Sequence, residues 1–146
     1  MDHASFGKLL TRMTGAICAG DPDGAAACFT PEGVYHDGFY GEFKGRAEIV
    51  RMLNAHFYAD ARDFEWKILD PVCDGRIGYA RYSFSYFPTM VGAPGKRVGF
   101  EGISVCDLEG GLIRRYGEIF DRAPVLAKLG FPEARILKSV KRWAQK

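Results

Sequence analysis

Asp37 stands two residues after Tyr35 in the run Val34-Tyr35-His36-Asp37, which glycine interrupts at Gly38. Alternate side chains of a strand share a face, so Tyr35 and Asp37 are expected to point the same way. A carboxylate beside an aromatic ring at the mouth of an apolar hollow loses water. Its charged form is then disfavoured, its pKa climbs toward neutrality, and it becomes a usable general base. The same Asp-Gly pair is also a frequent turn signal, in which the carboxylate caps backbone N–H groups. His36 titrates in the range that suits proton transfer, but alternation turns it to the opposite face, where a surface or interface role is the ordinary one unless a bulge re-aims it. His56 falls on the apolar face of a helix, as a hydrogen-bonded core histidine does.

Other chemistries find little support. Three histidines without H-x-x-x-H spacing do not make a metal site, so no metal is expected. No serine sits in a G-x-S-x-G elbow, no base for a cysteine nucleophile can be identified, and no organic cofactor is implied. Proton transfer on a small hydrophobic organic ligand stays open, beside a non-catalytic binding role. Aromatic residues make up 14% of the chain and would supply the pocket. Tyr82, Phe84 and Tyr86 share one face of a strand and Arg81, Ser83 and Ser85 the other. That aromatic stripe either lines a hollow or packs on a second subunit; the homodimer is the favoured assignment. Trp66, Phe100 and Tyr116, from neighbouring strands, and Phe57, from a helix, join Tyr35 as expected ligand contacts, although a core would demand the same residue types.

These residues need a scaffold, and 146 residues suffice for one domain with a sizeable core. The composition is 47% apolar and 26% charged, and the net charge of +2 is far from the field of a nucleic-acid binder. Cys18, Cys28, Cys73 and Cys106 lack any close pairing and suit buried thiols in a reducing compartment. With no apolar leader at the start and no run that could span a bilayer, a soluble cytoplasmic protein without membrane or nucleic-acid partners is expected. Phe6, Leu9, Leu10, Met13 and Ile17 recur at helical spacing, which predicts a helix over 4–19. Asp21 before Pro22 opens a second helix, 24–29. A short hairpin over 33–44 comes next, then a third helix from Gly45-Arg46 that fades near 60–63. Beyond it lie strands over 64–73, 77–89, 97–108 and 112–121, joined by short turns and therefore antiparallel. A last helix starts at Pro132, with Ile136, Leu137, Val140 and Trp143 expected on the core. Lys138, Lys141, Arg142 and Lys146 form its solvated face, with a lid role open. Helices before a long sheet make an α+β fold. A strongly twisted, mostly antiparallel sheet wrapped over the first helix leaves a conical hollow.

Residues 19–49, AGDPDGAAACFTPEGVYHDGFYGEFKGRAEI, and 97–121, RVGFEGISVCDLEGGLIRRYGEIFD, resemble the opening and the last two strands of nuclear transport factor 2-like proteins. That superfamily includes ketosteroid isomerases, limonene epoxide hydrolases and SnoaL-type polyketide cyclases. The resemblance implies its cone-shaped α+β fold. It puts Asp37 on the general base of the ketosteroid isomerases and Glu101 near the protonated acid of their oxyanion hole. Met13 stands where those enzymes carry a helix-1 tyrosine facing the substrate. Glu118 and Asp121 lie where the epoxide hydrolases and cyclases carry an acidic residue, and spacing does not choose between them. Two functions are compatible with all of this. One is a metal-free acid-base enzyme of isomerase, cyclase, dehydratase or epoxide hydrolase type, and the other is a non-catalytic ligand-binding or dimerisation module, since this fold hosts both.

Overall fold

Asp2 accepts a hydrogen bond from the Ser5 backbone N–H at 2.7 Å and caps the first helix, α1, His3–Cys18. Its buried residues Phe6, Leu9, Leu10, Met13 and Ile17 are the expected stripe. A computed structural model describes residues 1–145, and Lys146 of the expected basic helix face lies outside the described residues. Asp21 caps α2, Pro22–Ala26, through Gly24 N. This helix stops short of its expected end because Phe29 already begins β1, Phe29–Asp37. β1 turns into β2, Gly41–Lys44, as an antiparallel hairpin. α3, Arg46–Met52, continues through a π-helical turn, Leu53–Phe57, into a final α turn, α4, Tyr58–Asp60.

The meander after α4 has the expected order: β3, Ala61–Cys73; β4, Ile77–Pro88; β5, Val98–Glu109; and β6, Leu112–Ile119. Sheet order is β2-β1-β6-β5-β4-β3, with β1 parallel to β6 and every other pair antiparallel. The sheet stays open but curves strongly. Its ladder shifts register twice along β3, and each shift holds one aspartate in the left-handed region, Asp63 at φ 55° and Asp70 at φ 51°. An extra residue on one strand bends that strand and increases its twist, and aspartate tolerates the left-handed region better than most residues. The inner face packs on α1 through Tyr35, Ala80, Cys106 and Tyr116. Cys28 and Cys106 are buried as expected, whereas Cys18 and Cys73 are only half-buried, and all four are free thiols.

Two features beyond β6 differ from the sequence expectation. Arg122–Lys128 forms a short helix, α5, in a stretch to which the sequence assigns no element; Pro124 falls in its first turn, where a proline costs no hydrogen bond. The last helix, α6, Glu133–Trp143, forms as expected but buries none of its residues. Leu137 is 54% exposed and Val140 38% exposed, so the apolar stripe does not seat on the core. The helix lies across the open end of the cone and turns Trp143 of that stripe inward together with Arg135, Ser139 and Arg142. No helix among the described residues is long and apolar enough to cross a membrane.

Candidate functional site

Sheet curvature leaves a cavity of about 340 Å³ between the inner face of β3–β6, the α3–α4 segment and α5–α6. Its walls are aromatic. Trp66 and Phe84 meet edge-on with ring centres 5.0 Å apart, and Phe100 stacks on Phe120 at 4.4 Å. Phe84 and Tyr86 line the hollow and Tyr82 turns the same way to reach Glu118, so the stripe for which a dimer contact was the favoured assignment faces inward instead. Strand alternation puts these residues on one face but does not say whether that face is concave. Burial pushes the Tyr86 phenol up to about 12.

Asp37 ends β1 on the cavity wall and is only 7% exposed. Both expectations for it hold in geometry. Oδ2 caps the turn, accepting from Phe39 N at 2.8 Å and Tyr40 N at 3.0 Å, while Oδ1 has no hydrogen-bond partner among the described residues. Burial raises the pKa of this carboxyl; the two backbone donors, and less strongly His56 and His36, pull it back down.

Glu118, on β6, is the second carboxyl group of the cavity. Tyr82 donates to Oε2 at 2.6 Å and Tyr35 to Oε1 at 3.5 Å. Although the residue is half-buried by surface area, its carboxyl group sits at the enclosed end. Burial first, and the charge of Asp37 second, push its pKa up to about 8 against the pull of the two hydroxyls. Gly102 makes the Tyr82 contact possible: a Cβ there would lie 2.5 Å from Tyr82 Oη and 2.8 Å from the Ile119 carbonyl oxygen. Tyr35, fully buried, is raised well above an ordinary phenol by burial and by Glu118.

The other expected site residues separate. Trp66, Phe100 and Phe57 line the cavity. Tyr116 lies beneath it, fully buried, its hydroxyl 3.0 Å from Ser104 Oγ, and Met13 is core on α1. His36 is on the outer face of the sheet, where Arg115 and Glu42 meet it, because no bulge interrupts alternation between Val34 and Asp37. Glu101 falls on the outer face for the same reason, one residue out of phase with Phe100. Asp121 has left the sheet and precedes α5, exposed to solvent. Of the three acids that spacing leaves open, Glu118 alone lines the cavity.

Some wall residues were given other roles in the sequence or, like Arg135 and Ser139, none. His56 faces the cavity, not the core, stacked on Tyr40 with ring centres 4.1 Å apart. The π-helical turn carries it there by adding a residue to the helix and rotating the positions beyond the insertion. α6 contributes Arg135, Ser139, Arg142 and Trp143. Arg142 was expected on the solvated face; it is exposed, yet it lies on the cavity rim. Trp66 Nε1 is the one buried side-chain polar atom without a partner among the described residues. No group of three or more His, Cys, Asp or Glu among them is arranged to hold a metal ion.

An open cone of this topology, with helices on the concave side of a bent six-stranded sheet, is the nuclear transport factor 2-like fold. The chain belongs to the SnoaL-like domain family, whose sequence pattern it matches over residues 10–116. Solved structures agree. One is a protein of ketosteroid isomerase-like fold from Catenulispora acidiphila, in complex with trimethylamine, 20% identical at a TM-score of 0.75, covering 86% of this chain and 94% of that one. A putative polyketide cyclase from Xanthomonas campestris pv. campestris is 19% identical at TM-score 0.72, covering 89% and 100%. An LEH-like epoxide hydrolase from M. tuberculosis is 18% identical at TM-score 0.69, covering 94% and 96%. Identities this low establish shared fold alone. No functionally curated protein is significantly similar in sequence.

Proposed function

We propose that this chain is a general acid-base enzyme acting, without metal or organic cofactor, on a small hydrophobic compound held in the cone. The observation that carries this reading is the pair Asp37 and Glu118, two carboxyl groups in one aromatic chamber with different partners. Two like charges in a poorly solvated site hold only one proton comfortably, and environment decides which group keeps it. Backbone N–H donors favour ionised Asp37, while burial and that very charge keep Glu118 protonated near neutral pH. Asp37 Oδ1 removes a proton from substrate or from an attacking water. Glu118, its oxygens already occupied by tyrosine hydroxyls, turns its own O–H to the substrate oxygen on which charge develops. Trp66 Nε1 offers a second donor to that oxygen. Isomerisation, cyclisation, dehydration and epoxide opening all need this pairing, and the polyketide cyclase and epoxide hydrolase among the structural relatives support that range.

Turnover of limonene 1,2-oxide, a β,γ-unsaturated ketosteroid and an aromatic polyketide methyl ester, each followed by mass spectrometry, tests the reading. Turnover of one of them, lost in Asp37→Asn and in Glu118→Gln with binding retained, is expected. Binding without turnover, unchanged in both variants, replaces the enzyme with a non-catalytic binding module.

We further propose a cytoplasmic homodimer joined through the outer sheet face. Ile103 is 43% exposed, Ile119 67%, Tyr79 46% and Val72 49%, and all four lie on the convex side. Unpaired thiols suit that compartment. Ile103→Asp with Ile119→Asp is expected to halve the mass measured by light scattering; an unchanged mass removes this assignment.

A further inference from the structure

The cavity has two polar ends of opposite character, and the second one is not needed for proton transfer. At the enclosed end are the acids Asp37 and Glu118. At the open end, α6 presents Arg135, Ser139 and Arg142, which lie within about 60° of one another around the helix at 100° per residue. Arg135 and Arg142 are exposed, unlike the acids. Neither guanidinium has a hydrogen bond or ion pair with a described residue; Arg135 only rests 5.7 Å from the Phe131 ring centre. Arg122 of the adjoining helix is, by contrast, committed, donating to the Gly38 carbonyl at 2.9 Å and lying 3.9 Å from the Trp143 ring centre. The third acid of the wall, Asp60, pairs with neither rim arginine. Between the two ends the lining is apolar, built from rings such as Phe84, Phe100 and Phe120.

From this separation of charge we infer that the ligand is an aromatic or polycyclic compound carrying an anionic group, a carboxylate or equivalent acid, at the end opposite its reacting centre. The inference rests on the proposed use of this cavity for a hydrophobic ligand and specifies its chemical class. An anion at the enclosed end would face ionised Asp37, whereas at the rim it meets two guanidinium groups, whose planar donors suit carboxylate oxygens. The ligand therefore enters ring first. The Ser139 hydroxyl, between the arginines, adds a donor at the same edge.

Three isosteric probes separate charge from shape: 2-naphthoate, 2-naphthamide and the cation 2-naphthamidinium, with dissociation constants read by calorimetry at low salt. The carboxylate is expected to bind about tenfold more tightly than the amide, as one charge-assisted contact provides. Arg135→Gln with Arg142→Gln should bring the two within about twofold while leaving the amide constant unchanged, an order-of-magnitude expectation from the same contact. Lys138→Gln with Lys141→Gln removes equal charge from the outer side of the same helix and should preserve the preference. All four residues are exposed, so folding is not at issue. Equal affinities, preference for the amidinium, survival of the preference without the two arginines, or equal loss without the two lysines would each overturn the inference. Asp37→Asn is expected to keep the preference, so an intact preference beside unimpaired turnover in that variant sinks the acid-base reading alone. Failure of all three probes to bind would remove the chamber as a ligand site and both readings with it.

Discussion

The closed and open ends of the cone are built on different principles. At the closed end, Asp37 and Glu118 are each held by two hydrogen bonds, Tyr82 reaches Glu118 through a gap only glycine leaves, and Tyr35 is wholly buried. At the open end, α6 buries nothing and is tied down chiefly by the Trp143 ring against Arg122 and Phe39. Dense packing with most polar groups hydrogen-bonded fixes geometry to a fraction of an ångström, which acid-base chemistry requires. A thinly packed helix opens at low free energy, which ligand entry requires.

Substitutions at the closed end should therefore cost far more than those at the open end. Gly102→Ala drives a methyl group into Tyr82 Oη and the Ile119 carbonyl oxygen; a loss of about 2–4 kcal/mol in chemical denaturation is expected, together with release of Tyr82 from Glu118. An unchanged midpoint would mean that this end is loosely packed after all.

Glu118 provides the next effect, read through pH. Its ordinary value is 4.5 and its folded value about 8, so the folded state holds the proton more tightly. That contribution is complete below about pH 4.5 and is lost as the pH climbs through 8, and Asp37 shifts in the same direction. Stability should fall on the order of a few kcal/mol between pH 5 and 9. Glu118→Gln should flatten the slope, and a slope unaltered in that variant would place the titration elsewhere.

Tyr82→Phe removes the shorter of the two hydroxyl contacts. A loss of about 1–2 kcal/mol is expected above pH 8, where the carboxylate needs the donor, with a smaller one near pH 5. Because that hydroxyl pulls the Glu118 pKa down, its removal should move the carbon-13 titration of the carboxyl group upward; a downward move contradicts the assignment.

Trp143→Ala at the open end should cost about 0.5–1 kcal/mol in stability, the worth of an exposed cation-ring contact. Its larger signature should be faster amide exchange along α6. If exchange there stays as slow as in β5, the two ends do not differ in the way described.

The chain itself dictated its elements and their order. Helical spacing in α1, the aspartate caps, the turn glycines and the change to strand periodicity after residue 60 are local signals, and four meander strands fall where they point. Asp37 was legible because one β-strand carries it and Tyr35 to the same side. Choosing Glu118 over Glu101 and Asp121 needed the pairing of β5 with β6 and the ending of the last strand at Ile119, both set by contacts distant along the chain. Which side of β4 is concave was settled only by the assembled sheet, and the inward turn of His56 by a π-helical insertion that no periodicity announces. The face that α6 turns to the cavity was likewise decided by what it lies upon, since Leu137 and Val140 of its apolar stripe are left exposed while Trp143 turns to the cavity. Short-range backbone preferences are written residue by residue; the enclosure that shifts a pKa exists only once separate segments meet.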